Sequence, residues 1–110
     1  MAYKGRGGIF MHGHWNGTGT ISLRDSVGIS SLTDFGTGHY RINGAIAFDN
    51  TNYTAIAGCG EFSGYSGGFN PEHIMQVTEF NLSGTRVRCR STTGGAQDKD
   101  SINYIASGDN

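Results

Sequence analysis

Two near-copies of one turn constrain this chain more than any other feature. Asn16-Gly17-Thr18-Gly19-Thr20 leads into Ile21-Ser22-Leu23-Arg24, and Asp34-Phe35-Gly36-Thr37-Gly38-His39 leads into Tyr40-Arg41-Ile42-Asn43-Gly44. In both, glycine-rich turn chemistry gives way to alternation: Ile21 and Leu23 against Ser22 and Arg24, then Tyr40, Ile42 and Gly44 against Arg41 and Asn43. Successive side chains of a strand point to opposite faces, so a period of two bounded by Gly and Asn describes a half-buried strand. The segment therefore predicts antiparallel β-structure.

The same reading extended along the chain predicts strands over residues 9–15, 20–24, 27–33, 39–48, 53–59, 73–80, 85–91 and 101–107, with 39–48 the longest. The first places Phe10, His12 and His14 on one face and Ile9, Met11, Gly13 and Trp15 on the other. Asp49-Asn50-Thr51-Asn52 and Ser83-Gly84 are turns by composition, and a short helix after Pro71 competes with the strand over 73–80. Short strands about every 8–12 residues predict an all-β fold, a small antiparallel β-sandwich over residues 9–110 behind a flexible arm at 1–8. No repeat of solenoid or propeller length is present.

Composition refines this. Gly is 19 of 110 residues and Pro only 1, which fits many tight turns and excludes a Pro-rich linker. Only 35% of the residues are hydrophobic and 15% charged, so the private core is modest. Such a chain either completes its core by oligomerising or forms a thin monomeric sandwich. The net charge of −1 offers no long-range attraction for nucleic acid or an anionic membrane. No apolar run approaches the ~20 residues of a membrane span, so no membrane insertion is expected. Lys4 and Arg6 are not followed by the apolar stretch of a signal peptide.

The turn segment also resembles a family. Asn16-Gly17-Thr18-Gly19-Thr20 preceded by an aromatic residue, here Trp15, then Arg24-Asp25-Ser26, Ile29-Ser30-Ser31-Leu32-Thr33-Asp34, Gly36-Thr37-Gly38 and Tyr40 are similar to the C-terminal β modules of bacteriophage tail fibres, especially those of marine and cyanobacterial phages. The resemblance covers about residues 14–58, is loose over 72–107 and is absent before residue 10. His12, His14 and His39 depart from it, standing where small polar residues are common. It implies a trimeric virion structural protein at the end of a fibre or appendage that contacts the host cell surface and other virion proteins, with no leader for secretion. Two other readings stay open: a small capsid decoration or knob protein attached to the particle, and a soluble lectin-like glycan-binding module.

Candidate sites follow from residue type and spacing. His12 and His14 sit at i and i+2, so both imidazoles share a strand face. Three such pairs around a three-fold axis would offer six nitrogens to a transition metal, an arrangement that resembles the iron-holding tips of some phage fibres. No other cofactor is indicated. Arg86, Arg88 and Arg90 alternate with Val87 and Cys89, and guanidinium forks there would suit an acidic glycan or the carboxylates of a neighbouring chain. Phe62, Tyr65 and Phe69 are spaced along a Gly/Ser loop, where they either fold over the core or touch a partner such as a sugar face. Cys59 and Cys89 are two thiols without a CxxC pattern. No nucleophile elbow, phosphate loop or spaced carboxylate pair stands out, so no enzymatic activity is expected.

Overall fold

Alternation is expressed most plainly in β1 (Ile9–Asn16), where Ile9, Met11, Gly13 and Trp15 are buried while Phe10, His12, His14 and Asn16 are not. The computed structural model describes residues 8–60, 73–91, 95–96, 99 and 101–108. Seven strands follow: β2 (Ser22–Val27), β3 (Ile29–Gly36), β4 (His39–Gly44), β5 (Thr54–Gly60), β6 (His73–Asn81), β7 (Gly84–Ser91) and β8 (Ser101–Gly108). They form two four-stranded sheets, ordered β2-β1-β8-β5 and β3-β4-β7-β6. Every pairing is antiparallel. The predicted all-β sandwich is thus what forms, and no helix occurs among the described residues.

The inner faces of both sheets supply the core. Met11, Trp15, Ile102, Tyr104 and Ala106 of the first sheet meet Tyr40, Ile42 and Val87 of the second, and Phe48 and Tyr53 from the β4–β5 connection close one end. Removing each large apolar side chain from water stabilises the fold by roughly 1.5–3 kcal/mol. Trp15 and Tyr40 meet edge-to-face at 5.8 Å, and Phe48 stacks on Tyr53 at 3.8 Å. The indole Nε1 of Trp15 is buried with no hydrogen-bond partner among the described residues.

The two near-copied turns use one device. Asn16 Oδ1 accepts the Thr18 N–H at 2.9 Å and the Thr18 hydroxyl at 2.6 Å; Asp34 Oδ1 accepts the Gly36 N–H at 2.8 Å. These are Asx turns, in which a short side chain substitutes for a backbone acceptor. Gly19 (φ +60°) and Gly38 (φ +68°) then take the left-handed conformation that reverses the chain.

Strand boundaries depart from expectation where the chain changes sheets. Gly28, expected inside a strand, is the corner between β2 and β3 at φ +75°. Its neighbours would crowd any Cβ, with Met11 Cβ and the Phe10 carbonyl oxygen both 3.0 Å away. A bulge at Ser30 then reverses the alternation, so that Ile29 and Leu32 both reach the core. The strand expected over 39–48 stops at Gly44, because its neighbour β7 begins at Gly84 and leaves it no further partner. Residues 45–48 instead turn towards the other sheet, held by Ala45 N–H to Gly28 O and Phe48 N–H to Leu82 O. The longest strand is β6, which starts at His73 as a strand and not as a helix.

Candidate functional site

A sandwich that buries both inner faces leaves two outer faces for function, and here they differ in chemistry. On the second sheet, Val87 and Cys89 point into the core, so Arg86, Arg88 and Arg90 lie outward as alternation predicts. The register adds residues that sequence reading left apart. On the adjacent strand β4, Tyr40 and Ile42 point inward, which turns His39, Arg41 and Asn43 outward. His39 pairs directly with Arg88 and Arg41 with Arg86; on the other side Gln76 pairs with Arg88 and Ile74 with Arg90. Arg41 belongs to this cationic face, although it stands 45 residues before Arg86 and only strand pairing reveals it.

The arginines are not equivalent. Arg86 is held on both sides: its Nε lies 3.2 Å from Glu79 Oε1, and its guanidinium carbon is 4.2 Å from the centre of the Phe35 ring. That ion pair is half-exposed, so it contributes a fraction of about 1 kcal/mol. Arg41 donates to Ser83 Oγ at 3.0 Å, while its Nε lies over Gly84, whose missing side chain makes the room. The Nε atoms of Arg41 and Arg90 are buried without a hydrogen-bond partner among the described residues. Arg88 and Arg90 have no ion-pair partner among those residues either. Asn43 donates to Ser31 Oγ at 3.1 Å and Thr33 Oγ1 at 3.0 Å, which places a polar margin beside the charged rows.

The outer face of the first sheet carries an apolar row. The register sets Val27, His12, Ile105 and Ile56 side by side across all four strands. Val27, Ile105 and Ile56 are 49%, 43% and 62% exposed, and Phe10, 52% exposed, meets His12 edge-to-face at 5.8 Å. His12 and His14 do share this face. The ring Nε2 of His14 and the hydroxyl of Ser101 are 2.8 Å apart, so one imidazole nitrogen is engaged within the chain. No group of three or more His, Cys, Asp or Glu residues able to hold a metal ion occurs among the described residues. A metal on His12 and His14 would therefore draw further ligands from outside those residues.

Of the remaining candidates, Phe62, Tyr65 and Phe69 lie outside the described residues, as does the arm over residues 1–7. Cys59 and Cys89 are both thiols, the first half-buried in β5 and the second buried in β7. Arg24 is the extra residue of a bulge in β2, where His14 pairs with Asp25 and Trp15 with Leu23. Among the described residues no helix is long and apolar enough to cross a membrane. Comparison with protein-family models, with curated proteins and with solved structures finds no match to this chain.

Proposed function

We propose that this chain is a binding and assembly module of a phage virion, a homotrimer at the end of a fibre or appendage that contacts the host cell surface, and that it does no catalysis. The observation that carries the reading is the chemical division between the outer faces. One face presents Val27, Ile105, Ile56 and Phe10 to water, and the other presents four arginines. An exposed apolar row across a whole sheet fits association with further copies of the chain. A cationic face on the opposite side stays free for a ligand. The resemblance of the turn segment to tail-fibre modules supports the virion context.

In such a trimer the apolar faces meet, and His12 stands in the middle of the contact. The His12 and His14 pairs of three chains are then the groups that would take a transition metal if one is bound.

Mass by light scattering, before and after a chelator, tests the assembly. A trimer that resists chelation supports the fibre module, and one that dissociates assigns the histidines to a metal. A monomer at micromolar concentration overturns the fibre reading. Labelled protein added to bacterial cells and to phage particles tests the role: binding to cells supports host contact, and binding to particles alone would make the chain a decoration protein.

A further inference from the structure

We infer that the second sheet's outer face is a binding site for a polyanionic glycan, a polysaccharide bearing carboxylate or sulfate groups, with Arg88 at its centre. The inference rests on the host-contact reading and names its ligand class. Its basis is a placement of charge that folding alone disfavours. Side chains directly opposite each other on neighbouring strands interact most strongly, and like charges there destabilise a sheet. Arg41 nevertheless faces Arg86 on the two central strands. Half of the eight Lys and Arg residues of a chain with net charge −1 gather on this one face. Among the described residues Glu79 is the carboxylate paired with them, and it engages Arg86.

Geometry selects the ligand. Along β7 the arginines recur every second residue, about 6.7 Å apart, and Arg41 lies one strand away from Arg86. The result is a line of three cations along β7 with a fourth beside Arg86, suited to a chain of repeating anions. Guanidinium forks hold carboxylate and sulfate oxygens through paired N–H donors, and the donors of Arg88 and Arg90 are without ion-pair partners among the described residues. Gln76, Asn43, Ser31 and Thr33 flank the rows with amide and hydroxyl groups for sugar hydroxyls. A nucleic acid fits less well. Bases need aromatic faces to stack on, and Phe35 already carries the Arg86 guanidinium.

The test measures binding of the full chain to alginate (carboxylated), dextran sulfate (sulfated), neutral dextran and single-stranded DNA, at two salt concentrations. One or both acidic polysaccharides should bind more tightly than DNA, neutral dextran should not bind, and affinity should fall as salt rises. Arg88→Gln should weaken binding roughly tenfold, the value of one charge-assisted hydrogen bond, whereas Arg24→Gln, away from this face, should not. Unchanged melting of Arg88→Gln would show that the loss is not unfolding. Tighter binding to DNA would overturn the proposal in favour of a nucleic-acid site. Loss of oligomer mass in Arg88→Gln would overturn it in favour of a contact between subunits. Cell binding that persists in Arg88→Gln, with no acidic polysaccharide bound, would overturn the ligand class while leaving host contact intact. No binding to polymers or to cells would overturn both.

Discussion

The hydroxyl of Tyr104 lies 2.6 Å from Thr85 Oγ1, joining β8 of one sheet to β7 of the other through the middle of the sandwich. Thr85 Oγ1 is also 2.9 Å from the Tyr53 hydroxyl, which donates to the carbonyl oxygens of Asn81 and Gly84. Carbonyls only accept, so the order of donors is fixed. Tyr53 gives its proton to them, Thr85 gives its proton to Tyr53, and Tyr104 gives its proton to Thr85. Each of the three buried hydroxyls donates in one direction along the chain, which is how polar groups avoid the cost of an unmade bond inside an apolar core.

Thr85→Val should expose that cost. The substitution keeps the shape but removes the central link, leaving Tyr104 without an acceptor and Tyr53 without a donor. The expected loss is about 2–3 kcal/mol, measured by urea unfolding at neutral pH. A loss below about 0.5 kcal/mol would show that water or neighbouring groups replace the bonds.

Alkaline pH should act on the same chain of hydroxyls. Burial is the largest cause that pushes the Tyr104 phenol up from 10.0 to about 12; the Thr85 hydrogen bond opposes the rise and Tyr53 adds to it. A raised folded value means that the neutral form is favoured by folding. This contribution is fully present below pH 10, where the unfolded phenol begins to ionise, and is lost as pH rises through about 12. The rise corresponds to about 3 kcal/mol at most. Unfolding free energy measured from pH 9 to 12 should therefore fall more steeply in the native chain than in Tyr104→Phe. Parallel curves would remove Tyr104 as the cause.

Glycines of similar sequence context should differ sharply. A Cβ on Gly17 would lie 2.6 Å from both Ile102 Cδ1 and the Tyr40 hydroxyl and 2.8 Å from the Lys99 carbonyl oxygen. Gly17 also donates to Lys99 O and accepts the Tyr40 hydroxyl at 2.9 Å, so the turn is docked on the core at this point. Gly17→Ala should cost about 1–3 kcal/mol through overpacking. Gly19, at φ +60° with nothing within 4 Å, should accept Asn at a cost below about 1 kcal/mol, since Asn tolerates the left-handed region. Thermal melts of the two variants give the comparison, and equal melting temperatures would refute it.

The contrast between these glycines also marks how far the sequence could be read. Alternation made the eight strands and the facing of β1 and β7 legible, because a strand's facing depends only on its own period. Bulges at Ser30 and Thr78 shift that period by one residue, and nothing local announces them. Arg41 and His39 joined the cationic face through pairing between strands distant in sequence, which a period cannot encode. The apolar row is not encoded in a period for the same reason, since Val27, Ile105 and Ile56 come from three strands and each is unremarkable alone. Gly28 was readable as a glycine within an alternating run but not as a corner, because its role depends on the approach of Phe10 and Met11.

That apolar row yields the last prediction. Ile56 and Ile105 are cross-strand partners on the first sheet's outer face, and their outward side chains contribute little to the buried core. Replacing both with Lys sets like charges on directly opposed positions, a cost of up to about 1 kcal/mol that leaves the sandwich folded because neither side chain belongs to the buried core. If copies associate through this face, the double variant places paired cations in the contact, where they must be desolvated and repel one another. The expected result is a folded monomer in light scattering beside an oligomeric parent, with far-ultraviolet circular dichroism unchanged. A double variant that keeps the parent's oligomer mass would move the contact elsewhere. The cationic face supplies a control: Arg88→Gln should leave the mass unchanged, because the glycan site and the assembly surface lie on opposite sides of one sandwich.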